Sequence, residues 1–278
     1  NFDSDLLHVI MCILFNERRL AMGLICLPVS LFLYWLMLHP KKEAPFPKGG
    51  FAFLLIAGGV SVLFSSLLSM PVSALVEFVR LGAVSDPQRW IHALQEGTQV
   101  FSTLLKETIA NNPPSFFATM VSMFFSAGLM EEGLKFMTCR TAIRKEGMIR
   151  TWMDCVVAFS VVGITFELIE NIAFGMEGSL FDAVFRSLAC AHFVFDTIMG
   201  YFYGKYRVTG QKKYCWLSLI VPVIYHTVTN AIMGAGPAVM PVFLINATAV
   251  SHIGATVITV IVVIHWQRNK TLDIPVQI

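Results

Sequence analysis

The amino-acid sequence predicts an all-α protein: a polytopic transmembrane helix bundle of seven to eight spans, with an extra amphipathic helix on the outer side. Of its 278 residues, 56% are hydrophobic and only 14% are charged, whereas soluble domains carry about 25% charged residues. Apolar segments of about 20 residues, the length that spans a bilayer, recur along the chain. The charges within these segments fall into a few clusters.

Seven segments are long and apolar enough to span a membrane: residues 20–38, 51–76, 115–136, 153–176, 181–203, 214–234 and 240–265. An eighth candidate, residues 5–16, is short and predicts an interfacial or partial helix. Glu131 would lie near the cytoplasmic end of a third helix that stopped at residue 136, so we expect that helix to continue to about Lys145. The six cysteines show no Cys-x-x-Cys spacing, and we interpret them as small apolar residues.

Lysine and arginine in short loops predict the orientation, because they favour the cytoplasmic side. Basic clusters follow the first, third, fifth and seventh spans, and one topology places all four on the same side: Lys41, Lys42 and Lys48; Arg140, Arg144, Lys145 and Arg150; Lys205, Arg207, Lys212 and Lys213; Arg268 and Lys270. The C-terminus is therefore predicted to be cytoplasmic.

The long outer segment, residues 77–114, predicts an interfacial amphipathic helix that ends at Asn111-Asn112-Pro113-Pro114. Its apolar residues fall near one helical stripe: Trp90, Leu94, Phe101, Leu104, Leu105 and Thr108. Such a helix is either a brace on the membrane surface or a gate for substrate. The chain then divides into N-terminal transmembrane helices with the outer segment (1–114), a four-helix catalytic-type core (115–235), and a C-terminal transmembrane helix with a cytoplasmic tail (236–278).

Polar residues cluster once on each of four successive spans of the core. The clusters are Glu131-Glu132-x-x-Lys135, Phe166-Glu167-x-x-Glu170-Asn171, His192-x-x-x-Asp196 preceded by Arg186, and His226-x-x-x-Asn230. A charge at the centre of a membrane helix costs roughly 2.5–3.5 kcal/mol, so these groups should face the bundle interior or a wet cavity and mark a functional site. Positions i and i+4 share a helix face, so each histidine has a polar neighbour one turn away.

These residue types suit hydrolysis by an activated water. Two adjacent carboxylates in a low dielectric discourage double ionisation, which favours a general base near neutral pH. A glutamate can deprotonate a water that attacks a peptide carbonyl. The imidazoles would donate hydrogen bonds to an oxyanion or bind a metal. The sequence contains no Gly-x-Ser-x-Gly motif and suggests no serine or cysteine nucleophile.

A metal is possible but not required by the sequence. The zincin motif His-Glu-x-x-His is absent. A divalent ion such as zinc could still be held by two histidines and one carboxylate: His192, His226 and Glu170.

The other residues of the clusters are expected to support this set. Lys135 would neutralise Glu131 or Glu132, and Arg186 would balance an acid such as Glu167, Glu170 or Glu177. Glu167 and Asp196 would be partners of the catalytic groups, as would Phe166, Asn171 and Asn230. We interpret His8 and His252 as packing residues.

Together the four clusters resemble the PrsW family of intramembrane proteases, within the wider CAAX-endopeptidase and bacteriocin-processing superfamily. The resemblance covers about residues 115–235 and is carried by Glu131-Glu132-Gly-Leu-Lys135, Phe166-Glu-Leu-Ile-Glu170-Asn171, Arg186 through Ala191-His192, and His226-Thr-Val-Thr-Asn230. The related prenyl-protein branch typically has a histidine where this chain has Glu170, so the sequence favours the PrsW-like branch.

The resemblance implies a bacterial multi-pass protease of the plasma membrane whose partners are a membrane-anchored protein substrate and the lipid bilayer, with no nucleic acid. By the family pattern, Glu131 or Glu132 would be the activating base, with Glu170, His192 and His226 completing the catalytic site. PrsW-like proteases are associated with the first, extracytoplasmic-side cut of a membrane-anchored anti-sigma factor. Two alternatives remain. A proton-coupled transporter would also use intramembrane Glu and His, but it predicts inverted repeats that the sequence lacks. A non-catalytic member would bind transmembrane partners without cleaving them.

Overall fold

The computed structural model describes residues 17–39, 46–81, 86–112, 114–177, 179–235, 237 and 239–276. The predicted short segment 5–16, which includes His8, lies outside this part, and so do Lys41 and Lys42. Helices form nearly all of the described chain, and the all-α prediction is confirmed: α1 (Glu17–Gly23), a 3-10 turn (Leu24–Cys26), α2 (Leu27–Leu38), α3 (Gly50–Arg80), α4 (Pro87–Glu96), α5 (Thr98–Asn111), α6 (Phe116–Met123), a π-helical segment (Phe124–Leu129), α7 (Met130–Ala142), α8 (Trp152–Glu177), α9 (Leu180–Ala189), α10 (Ala191–Thr209), α11 (Lys212–Gly234) and α12 (Val242–Arg268).

Within the described residues, six helical stretches are long and apolar enough to cross a membrane: Ala21–Leu38, Gly50–Arg80, Trp152–Met176, Leu180–Thr209, Lys212–Gly234 and Val242–Arg268. The chain is therefore a multi-pass membrane protein. Each of the six overlaps a predicted span, whereas the total of seven to eight spans stays a prediction.

The span predicted at 115–136 consists of α6, the π-helical segment and α7 in direct succession. As expected, its helix continues past residue 136: α7 ends at Ala142, and the Ile143 N–H still bonds the Cys139 carbonyl at 2.9 Å. The acidic pair Glu131-Glu132 therefore lies in the first turn of α7 and not at the end of the helical stretch.

The span predicted as one helix at 181–203 is broken into α9 and α10 at Cys190, whose φ of 37° is in the left-handed region. A break exposes backbone groups that lipid cannot satisfy. Here the Ala189 carbonyl accepts a hydrogen bond from the Thr256 hydroxyl of α12, and the Ser187 carbonyl accepts one from Cys190 Sγ at 3.0 Å. Sequence periodicity missed this break because α9 and α10 are both apolar and the residue at the junction is not glycine.

The outer segment forms two helices, α4 and α5, rather than the single helix predicted. They separate at Gly97, whose φ of 119° favours glycine. Trp90 is buried, and its ring packs edge-on against Phe78 and Phe101. Leu94, one turn later on α4, is 54% exposed, as an apolar residue of a helix on the membrane surface can be.

The chain packs as two compact units. The first unit contains Asn1–Val62, Lys135–Ser218 and Val250–Ile278, and the second contains Leu63–Leu134 and Leu219–Ala249. In the first unit α8 is central: it packs along α10 and also contacts α1, α2 and α9. These units divide the chain by packing and not at residues 114 and 235, so the predicted division into three functional regions remains a prediction.

Glycines let the helices of the first unit approach closely, as membrane helices often require. A Cβ placed on Gly23 of α1 would lie 2.8 Å from the Ile172 carbonyl oxygen, and one on Gly175 of α8 would lie 2.9 Å from Gly23 Cα. Between α8 and α10, a Cβ on Gly200 would lie 2.7 Å from the Cys155 carbonyl. These contacts leave no room for a larger side chain.

We expect Gly175→Val to destabilise the protein by about 1–3 kcal/mol, because the added carbons overpack the contact with α1. Gly254→Val on α12 is the matched control, since no described atom lies within 4 Å of its added Cβ. Denaturant unfolding of the detergent-solubilised protein measures both. Equal stability of the two variants would contradict close packing at Gly175.

Candidate functional site

The centre of the polar cluster in the first unit is Lys135 of α7, whose side chain is fully buried. Its Nζ lies 2.8 Å from Asp196 Oδ2 and 2.9 Å from His192 Nδ1. An ammonium group only donates hydrogen bonds. His192 Nδ1 must then be the acceptor, which assigns the ring proton to Nε2.

His192 Nε2 faces the Glu170 carboxylate, which also forms an ion pair with Arg186. His192 Nε2 lies 3.1 Å from Glu170 Oε2, and this oxygen lies 3.2 Å from Arg186 Nη2. Arg186 Nε also donates to Asn171 Oδ1 at 3.0 Å. The prediction that Arg186 balances an acid is confirmed with Glu170 as the partner. A carboxylate at this distance accepts the Nε2–H that the Lys135 contact assigns to His192.

Glu167 holds the start of α10 in place. Its Oε2 accepts the backbone N–H of His192 at 2.7 Å, and its Oε1 accepts from Asn171 Nδ2 at 3.0 Å. The first N–H groups of a helix have no partner within the helix, and a carboxylate there is favoured by the helix dipole. Glu167 thus fixes the backbone that carries the His192 imidazole.

Aromatic packing and a glycine complete the surroundings of His192. The buried Phe166 ring lies 4.6 Å from the His192 ring, and Lys135 Nζ lies 4.9 Å from the Phe166 centroid. A Cβ on Gly163 would lie 2.6 Å from both the His192 carbonyl oxygen and Asp196 Oδ2. Gly163 therefore allows α8 to approach α10 at this point. We did not predict a role for it, although a glycine inside a buried helical pattern is a usable signal.

The second unit carries a cluster around His226 of α11. His226 Nδ1 lies 2.8 Å from Glu132 Oε1, and its Nε2 lies 2.9 Å from Asn230 Nδ2. A carboxylate accepts at Nδ1 and an amide N–H donates at Nε2, so the partners assign the proton to Nδ1 and the lone pair to Nε2. Glu131 Oε2 lies 3.9 Å from this Nε2.

The two adjacent glutamates have different surroundings. The Glu132 side chain is fully buried, whereas that of Glu131 is 15% exposed. Glu132 is held by its hydrogen bond to His226, as a residue that orients an imidazole would be. Glu131 is therefore the more accessible of the two carboxylates.

The predicted polar pairs on single helices have different outcomes. His226 and Asn230 contact each other directly, as expected from their spacing. His192 and Asp196 instead meet at the Lys135 ammonium. We predicted Glu131 or Glu132 as a partner of Lys135; the structure shows an ion pair with Asp196, and pairing with either glutamate stays a prediction. His252 is buried and packs against the Phe195 ring, in agreement with a packing role.

Imidazole nitrogens and carboxylates are the ligands that zinc prefers, but the protonation of the two histidines differs. His226 matches a zinc ligand in that it donates Nδ1–H to a carboxylate, although its Nε2 lone pair accepts a hydrogen bond from the Asn230 amide. His192 does not match, since Lys135 donates to Nδ1 and the proton occupies Nε2. In this state His192 offers a metal no free lone pair.

Comparisons with known proteins agree with the resemblance found in the four clusters. A family model described as PrsW family intramembrane metalloprotease matches residues 49–266. Protease PrsW of Bacillus subtilis (strain 168) is 30% identical over 128 residues, covering 44% of this chain and 56% of that protein. Protease PrsW of Clostridioides difficile (strain 630) is 28% identical over 120 residues, covering 40% and 50%.

Protease PrsW of Geobacillus kaustophilus (strain HTA426) is 28% identical over 109 residues, covering 38% of this chain and 48% of that protein. The chain thus spans about half the length of the curated relatives it matches, all of them from bacteria. No solved structure matches the chain significantly.

We expect Lys135→Met to cost about 3–5 kcal/mol of unfolding free energy, because it leaves the buried Asp196 carboxylate without its ion-pair partner. The double variant Lys135→Met with Asp196→Asn should recover most of this loss. Lys212→Met, at an exposed position, is the control. Denaturant titration measures all three variants, and a double variant no more stable than Lys135→Met alone would refute the coupling.

Proposed function

Since this chain belongs to the PrsW family of intramembrane metalloproteases, we propose that it is an intramembrane endopeptidase that cleaves membrane-anchored proteins with a glutamate-activated water. The observation that carries this proposal is the His226 imidazole, held by Glu132 on one side and Asn230 on the other, with the Glu131 carboxylate beside its Nε2. A carboxylate next to an oriented imidazole and an amide is a set of groups suited to peptide hydrolysis.

We assign the role of general base to Glu131. Its side chain is partly exposed, whereas that of Glu132 is buried and bonded to His226 Nδ1. Glu131 would accept one proton from a water whose oxygen attacks the scissile carbonyl carbon. The second N–H of the Asn230 amide would donate to the oxyanion. When the carbon–nitrogen bond breaks, Glu131 would return the proton to the leaving amine.

The description of the family implies a metal, and a bound zinc would polarise the scissile carbonyl. Among the described residues, the two histidines of these clusters do not fit such an ion in the protonation state that their partners assign. The His226 Nε2 lone pair accepts from Asn230, and ligation by His192 Nε2 would require the Lys135–Asp196 pair to lose a proton. We therefore derive no step through a metal.

The substrate must reach Glu131 and His226 from within the bilayer or from the outer face, because a folded protein cannot thread a packed bundle. Its scissile segment must be extended, since a helix engages its own carbonyls in hydrogen bonds. The likeness to the PrsW branch makes a membrane-anchored anti-sigma factor the first substrate to test. The basic residues Arg268 and Lys270 support a cytoplasmic C-terminus.

We expect Glu131→Gln to lower kcat by about 10²–10⁴-fold, because the amide cannot take a proton from water. Glu132→Gln should give a smaller loss, since an amide oxygen still accepts from His226 Nδ1. Glu146→Gln, at an exposed loop position, is the control. Cleavage of a membrane-anchored substrate in proteoliposomes measures all three. Full activity in the Glu131→Ala, Glu132→Ala double variant would end the proposal.

We expect cleavage to survive exhaustive chelation, because the assigned state of His192 leaves no lone pair for a metal. Elemental analysis of the purified protein should find much less than one zinc per chain, in wild type and in His226→Ala alike. Stoichiometric zinc that disappears in His226→Ala, with activity lost on chelation and restored by zinc, would contradict this expectation. It would also show that the Lys135–His192 contact changes its protonation when metal binds.

A further inference from the structure

The π-helical segment Phe124–Leu129 lies directly before the acidic pair Glu131-Glu132. A π-helix bonds each N–H to the carbonyl five residues before it and is rare; single π-turns occur frequently at functional sites. Such a segment widens the helix locally and changes the direction in which the following residues point. Contacts that hold it therefore also decide where the carboxylates of the next turn lie.

One such contact comes from α3. The hydroxyl of Ser69 donates a hydrogen bond to the backbone carbonyl of Ser126, inside the π-helical segment, at 2.7 Å. The Ser126 hydroxyl in turn donates to the Ser122 carbonyl at 2.8 Å. Carbonyls at helix irregularities need partners of this kind in a membrane. Ser69 thus fixes one side of the segment.

The other side of the segment is held by α11. A Cβ placed on Gly128 would lie 2.9 Å from the Val223 carbonyl oxygen, and still nearer to Thr227 Oγ1. Both separations are shorter than real Cβ contacts. Only glycine at position 128 allows α11 to come this close. Thr227 directly follows His226 in α11, and Gly128 precedes Glu132 by four residues.

We infer that Gly128 and Ser69 are positioning residues for the proposed reaction: they seat the π-helical segment so that Glu132 reaches His226 Nδ1 and Glu131 lies beside His226 Nε2. The contact of Gly128 with α11 is one turn from the 2.8 Å bond between Glu132 and His226. A larger residue at position 128 pushes α11 away and lengthens that bond. This inference rests on the proposed function for its kinetic readout and on geometry alone for its spectroscopic readout.

Gly133 provides a matched control on the same helix. No described atom lies within 4 Å of a Cβ built on Gly133, although this glycine sits between Glu132 and Lys135. Gly→Ala at either position gains helix propensity to the same extent. Any difference between the two variants therefore reports the contact with α11. For Ser69, the control is Ser66, an exposed serine one turn earlier on α3.

The experiment compares Gly128→Ala, Gly133→Ala and Gly128→Ala with Thr227→Ala in the full chain, reconstituted in nanodiscs. We expect Gly128→Ala to lower kcat on the order of 10²-fold with little change in KM, since a misplacement of about 1 Å can cost that much. Gly133→Ala should match wild type. Removing the Thr227 hydroxyl should restore part of the lost kcat.

The second readout is the ¹⁵N spectrum of histidine-labelled protein, in which His226 is identified by the signal missing from His226→Gln. The downfield Nδ1–H signal of a carboxylate-bonded imidazole should persist in Gly133→Ala and be lost in Gly128→Ala. Wild-type kcat and an unchanged His226 signal in Gly128→Ala would overturn the inference. Equal losses in Gly128→Ala and Gly133→Ala would also overturn it.

One outcome separates this inference from the proposed function. If wild type cleaves no substrate, the proposed function fails while the His226 signal still decides the positioning role. A second pair of variants tests the positioning role if Gly128→Ala does not fold: Ser69→Ala and Ser66→Ala. Loss of one hydrogen bond should then lower kcat about 3–10-fold in Ser69→Ala alone, and equal kcat in both serine variants refutes the inference.

Discussion

The buried ammonium of Lys135 is the constraint on which the rest of the first unit depends. An uncompensated charge is too costly in the membrane interior, so the surroundings must supply a counter-charge and acceptors. Asp196 supplies the charge, His192 Nδ1 supplies an acceptor, and the Phe166 ring lies beneath the cation. Because Lys135 occupies Nδ1, the opposite nitrogen of His192 carries the proton and points to Glu170. One buried cation thereby sets the chemistry that this imidazole can perform.

The same need for satisfied polar groups explains the irregular helices. The chain breaks at Cys190 and widens from Phe124 to Leu129, and both irregularities free backbone groups in a setting without water. Side chains from neighbouring helices form hydrogen bonds with these backbone groups: Thr256 and Glu167 at the break, and Ser69 at the π-helical segment. Both irregularities lie next to polar clusters, where an unbroken apolar helix could not present the proposed catalytic groups.

Part of the site follows from local spacing and was therefore predictable. His226 and Asn230 are four residues apart and meet, because adjacent turns of one helix face each other. The need of Arg186 for an acid was also correctly predicted, although three glutamates were possible. The partner of Lys135 was not predictable in this way. Asp196 lies on another helix, and its approach depends on Gly163, a residue without any functional group.

The sequence by itself determined the all-α class, six of the membrane-crossing stretches and the family, because apolar length and motif spacing are local properties of the chain. Only the tertiary structure decided which glutamate orients His226, which nitrogen of each imidazole carries its proton, and where the helices break. These features depend on atoms from helices distant in sequence that come within 3 Å of each other. The sequence shows which polar side chains the chain contains, but the packing of several helices decides which of these side chains contact each other.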